Sequence, residues 1–205
     1  MKFVREKGEA RNKDEIKWLQ NFLHDPLLRE KKDILSYTAT VLYYRLRTMC
    51  NFLLHNYTEA LLNVNKAILM FEKNVPNDAS LFIDYTDMYG NKVLYLARNN
   101  QYAEALATIQ ELKKLPATAK SEKWKYKIEG QLLLDLEFKY LERELTVYSM
   151  FAKYDKYIEL APKMQELLDN KEHKISEINY LILHYNMAYV FFYSRKIQTN
   201  LISLA

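Results

Sequence analysis

Apolar side chains recur every three to four residues along most of this chain, the period of a helix buried along one face. The run from Leu42 to Leu54 and that from Asp87 to Arg98 show it clearly, and each leads into another stretch of the same kind. The pattern predicts helices at about 13–24, 27–55, 57–73, 79–99, 101–115, 121–150, 153–169 and 173–194, with a short terminal piece from Ile197. Proline-, asparagine- and lysine-bearing segments around 74–80, 115–121 and 169–174 read as connectors, and Ser80 and Ser121 stand near helix starts.

The chain also resembles itself. Tyr57, Glu59, Ala60, Leu61 and Val64 fall on Tyr102, Glu104, Ala105, Leu106 and Ile109. Each stretch follows a helical pattern and leads to a proline, Pro76 or Pro116. Weaker copies place Tyr154 and Ile197 at the tyrosine position, so the four anchors stand 45, 52 and 43 residues apart. The physics of such a unit is simple. The aromatic opening the second helix packs back on the first, and the alanine three residues later lets the two backbones approach. One hairpin cannot bury its apolar faces, but stacked neighbours can. Tyr157 and Asn200 replace that alanine in the last two copies. The expected layout of 1–205 is one helical-repeat array: a half-repeat 1–26, then repeats at about 27–76, 77–116, 117–171 and 172–205, the last incomplete.

At these residues the chain resembles the tetratricopeptide repeats. Armadillo- and HEAT-type pairs, whose period is nearer this spacing, stay open as alternatives. The resemblance implies an all-α fold, a right-handed superhelical stack of antiparallel hairpins (an α-solenoid). It also implies that the first helices of successive repeats line a concave groove for a peptide or partner helix. Carried over position by position, the groove candidates include Arg45, Met49, Asn91, Leu94, Lys139, Glu142, Arg143, Thr146, Tyr185, Asn186 and Tyr189. Chaperone-binding members of that family grip a peptide's terminal carboxylate. Arg45, Asn91, Lys139 and Arg143 match four of the gripping positions, and Met49 stands where an asparagine belongs.

Composition narrows the function classes. Three glycines cannot build a phosphate-binding loop, and the four histidines show no metal-ligand spacing with one another or with Cys50. The expectation is therefore a chain that is not an enzyme and carries neither metal nor cofactor. Thirty basic and 26 acidic residues are closely interspersed, which argues against nucleic acid; Lys120–Gly130 is the one local basic run. No apolar run is long enough to span a bilayer, so no membrane partner is expected. The lone Cys50 suits a reducing, cytoplasmic setting. The seventeen tyrosines suit the walls of binding grooves. The favoured expectation is a protein-interaction scaffold, and the alternative is a ligand- or peptide-sensing segment of a larger regulator. Solenoids usually finish on a polar capping helix and none is legible here. That leads to the expectation of a longer parent protein, or of self-association through an uncapped end.

Overall fold

A computed structural model describes residues 13–26, 37–73, 79–118 and 129–170, and within 180–192 all but 182, 186 and 189. Its regular structure among these residues is entirely helical: α1 (Lys13–His24), α2 (Tyr37–Leu53), α3 (Tyr57–Lys73), α4 (Ala79–Arg98), α5 (Tyr102–Thr118), α6 (Gln131–Met150) and α7 (Tyr154–Asp169). A further helical stretch occupies 180–192. The chain divides into two compact units, Met1–Gln101 and Tyr102–Ala205.

The helix expected at 121–150 is shorter at its front. Gly130 has φ +58°, in the left-handed region, so no right-handed helix runs through it; α6 starts at the next residue. The end expected near Leu115 is overrun, because α5 carries Pro116 within its last turn. There the missing N–H costs a single helical bond. Pro162 is a harder case, since it lies inside α7, but it sits on that helix's exposed side.

Three turns are built alike. His55, Asn100 and Ala152 all have left-handed φ, at 59°, 60° and 52°. Each stands two residues before an anchor tyrosine. In each turn the next amide donates five residues back: Asn56 to Asn51 (2.8 Å), Gln101 to Leu96 (2.9 Å) and Lys153 to Tyr148 (2.8 Å). The left-handed residue itself donates three back, to Phe52, Ala97 and Ser149. That is the Schellman arrangement, which satisfies carbonyls a helix end would leave bare. The repeat read in the side chains is thus also present in the backbone turns.

In the first unit, Leu19 and Leu23 of α1 pack with Cys50 and Leu53 of α2, flanked by Phe22 and Met49. Arg47 caps α1 by donating to the Leu23 carbonyl at 3.3 Å. Helix α3 buries Ala60, Val64 and Ala67 completely, a stripe at helical spacing. Tyr57 packs back on Phe52 of α2 at 5.8 Å between ring centroids and shares a 2.7 Å hydrogen bond with His55. Against α4, Phe71 meets Tyr85 edge-on, and the hydroxyls of Tyr85 and Tyr89 both donate to Glu72. Phe52 also reaches Tyr95 of α4, at 5.4 Å.

In the second unit, Leu141 and Leu145 of α6 and Tyr157, Ala161, Met164, Leu167 and Leu168 of α7 form one apolar cluster with Leu183 and Val190. Helices α5 and α6 are joined by an ion pair whose carboxylate is buried and whose ammonium is partly exposed. Lys113 Nζ lies 2.6 Å from Glu144, and the other Glu144 oxygen accepts from Tyr148 at 3.0 Å. Tyr102 stacks obliquely on Phe151 at the α6–α7 turn, 4.9 Å between centroids.

Candidate functional site

The groove candidates of the first unit lie on α2 and α4. Arg45 of α2 holds Asp84 of α4 at 2.6 Å, so its guanidinium already has a carboxylate. Met49 packs on the Leu19–Leu53 cluster, which places it in the contact between α1 and α2. Asn91 and Leu94 are half-buried on α4.

Those of the second unit lie on α6 and the 180–192 stretch. Lys139 is half-buried, and Arg143 donates to the Glu142 carboxylate at 2.6 Å. Tyr185 is 72% exposed. Asn186 and Tyr189 lie outside the described residues. Both arginines matched to the carboxylate grip are therefore paired within their own units. An incoming carboxylate would have to displace Asp84 from one and Glu142 from the other.

Two features of the second unit go beyond that residue set. One is an open pocket of about 150 Å³ lined by Glu142, Leu145, Thr146, Ser149 and Met150 of α6, Tyr157 of α7, and Leu183. Tyr157, which lines it, stands where the earlier copies of the repeat carry an alanine. Ala60 is fully buried in α3, and α2 and α3 approach closely over much of their length. Tyr157 holds the same place in α7, equally buried, and α6 and α7 are less closely apposed. A ring needs more room between two backbones than a methyl group does.

The pocket's polar groups are unevenly satisfied. Glu142 accepts from Arg143 and, at 3.2 Å, from Thr146. The Tyr157 hydroxyl is buried with no hydrogen-bond partner among the described residues. Burial pushes its pKa up to about 12, and the nearby Glu142 carboxylate adds to the rise, so at neutral pH it stays a donor.

The other feature is an apolar stripe. Leu181, Tyr185 and Phe192 are 66%, 72% and 65% exposed, and exposed Ala188 lies between the last two. Their spacing puts them on one helical face, while Leu183 and Val190 on the opposite face enter the core.

A polar cluster on the far side of α6 is closed by comparison. Lys113 and Lys163 lie 5.4 and 5.9 Å from the Tyr140 ring centroid, Lys163 pairs with Glu137 at 3.1 Å, and Tyr140 donates to Glu137 at 3.0 Å. Burial first, then the adjacent carboxylates, raise Tyr140 and Tyr148 above the ordinary tyrosine range. Every charge there has its counterpart, which describes a brace between helices.

Among the described residues no group of three or more His, Cys, Asp or Glu could hold a metal ion, and no helix is long and apolar enough to cross a membrane. A scan against protein-family models, a search of curated proteins and a search of solved structures each return no match. The case for function therefore rests on these surfaces.

Glu142 and Thr146, both groove positions expected from sequence, line the pocket. Tyr157 and Ser149, which also line it, are not among those positions. The signal for Tyr157 was present, since it is the residue that breaks the repeat's small-residue rule.

Proposed function

We propose that this chain is a non-catalytic interaction module whose first-helix faces receive a peptide or partner helix. In this reading each unit is a segment of a right-handed, tetratricopeptide-like array of antiparallel hairpins. The observation that carries it is the stripe Leu181, Tyr185, Ala188 and Phe192, whose opposite face is in the core. A helix with one apolar face buried and a second facing water has surface to give to a partner, and contiguous exposed apolar patches mark such contacts. The pocket beside α6 adds a polar recess on the same unit. A grip on a terminal carboxylate is not part of the proposal, because Arg45 and Arg143 each hold a carboxylate already.

The test is selection of peptide binders from a displayed library on the full chain, followed by titration calorimetry. Binders should lose at least about tenfold in affinity on Leu181→Asp or Tyr185→Asp, each of which places a charge in the stripe. Binders indifferent to both changes, or no binders at all, would refute the reading. Sedimentation velocity identifies a second copy of the chain as the occupant, should the same two changes dissolve a dimer.

A further inference from the structure

The Tyr157 pocket has the makings of a ligand site. It has room, an apolar wall and a donor without a partner. Its volume, about 150 Å³, matches that of a cavity known to admit a benzene ring. Leu145, Met150 and Leu183 give it apolar lining, and Glu142, Thr146 and Ser149 give it polar lining. Tyr157, only 2% exposed, supplies a hydroxyl with no acceptor among the described residues; its oxygen has almost no open surface, so a ligand reaches it only as the pocket wall yields. A buried donor left unmatched is costly, and few native groups are left so without a role.

Chemistry narrows what fits. The Tyr157 hydroxyl asks for an acceptor, while the oxygens of Glu142, Thr146 and Ser149 ask for donors. A carboxylate ligand would offer the acceptor but would meet the Glu142 charge. An ammonium ligand would have to compete for Glu142 with Arg143, which already donates to it at 2.6 Å. A hydrocarbon would leave the hydroxyl bare. A primary amide carries an acceptor oxygen and two N–H donors on one flat, neutral group.

We infer that this pocket binds a primary amide on a compact apolar body, its carbonyl accepting from the Tyr157 hydroxyl and its NH₂ donating toward Glu142, Thr146 or Ser149. The amide belongs either to a free small molecule or to a Gln or Asn side chain of a bound peptide. Only the second source rests on the function proposed above; the pocket's own chemistry does not.

Benzamide is the first probe, with benzoate and toluene as its charged and apolar counterparts, each titrated against the full chain by saturation-transfer NMR. Benzamide should bind at least about tenfold more tightly than either. Tyr157→Phe keeps the ring and removes the hydroxyl, and should abolish that preference while the helical circular dichroism stays unchanged. Glu142→Gln should raise benzoate binding toward that of benzamide. The second arm compares a selected peptide bearing Gln with the same peptide bearing Glu. A Gln preference lost on Tyr157→Phe identifies a peptide as the source. Equal binding of the two peptides, with benzamide still dependent on Tyr157, identifies a free amide and leaves the pocket assignment standing even where the peptide reading fails. Benzamide binding unaffected by Tyr157→Phe overturns the inference. So does a crystal soaked in benzamide that shows only ordered water at the hydroxyl, or an absence of binding by both benzamide and the Gln peptide.

Discussion

Tyr157 is the side chain on which the second unit's packing turns, and two substitutions separate its ring from its hydroxyl. The ring is almost wholly buried in a cluster drawn from α6, α7 and the 180–192 stretch. An aromatic side chain buries roughly 150–250 Å², which at about 25 cal/mol/ Å² gives about 4–6 kcal/mol of transfer free energy. The unpartnered hydroxyl works the other way, costing about 1–2 kcal/mol of unreturned desolvation. Tyr157→Ala should therefore destabilise the chain by about 3–4 kcal/mol, within the usual range for removing a buried ring. Tyr157→Phe should be neutral or stabilising by up to about 1 kcal/mol, although tyrosine-to-phenylalanine changes at satisfied sites cost stability. Urea unfolding followed by circular dichroism at constant pH measures both, with the m-value checked for constancy. The reasoning is refuted if Tyr157→Phe costs more than about 1 kcal/mol, since the hydroxyl would then have a partner. It is refuted too if Tyr157→Ala costs less than about 1 kcal/mol, since the ring would not be filling the space assigned to it.

Four other outcomes follow from the same packing. Ala60→Leu should cost about 2–3 kcal/mol in the same urea assay, because Ala60 is fully buried in α3 and a longer side chain has no free volume there. Lys113→Met should cost about 2 kcal/mol, discounted from the cost at a fully buried pair because Lys113 is partly exposed, and adding Glu144→Leu should recover about half of it. A double change no better than the single one would contradict the pairing. Ala152→Gly should stabilise by about 0.5–1 kcal/mol, because glycine adopts the left-handed turn at φ 52° without the strain alanine carries. Alkaline stability should fall between pH 9 and 11. Burial, opposed by Arg47, pushes the Cys50 thiol up from 9.0 to about 11, so across that window the unfolded chain has released a proton that the folded chain still holds. Two pH units correspond to about 2–3 kcal/mol, Tyr157 extends the fall toward pH 12, and Cys50→Ala should flatten the lower part of the curve.

Much of the helical framework was legible because its causes are local. Apolar periodicity placed α1 and α3 at their observed bounds, and the spacing of Tyr57, Tyr102 and Tyr154 anticipated three turns that the backbone closes in one way. Less legible were the features that depend on a second element. Gly130 lies within a run that reads as helix, and its left-handed φ shows only in the fold. Arg45 and Arg143 looked like cations on offer to a ligand. Asp84 meets Arg45 from another helix, whereas Glu142 is Arg143's own neighbour in sequence and itself a groove position expected from sequence.

Sequence by itself determined that this protein is built of paired helices and where most of them turn, since hydrophobic period, anchor aromatics and small residues act over a few positions. It also marked Tyr157 as the exception to its own repeat. Only the tertiary structure decided what that exception does. The width of a gap between helices is set by both faces at once, so the Tyr157 pocket, its buried hydroxyl and its polar lining emerge only when α6, α7 and Leu183 are packed together.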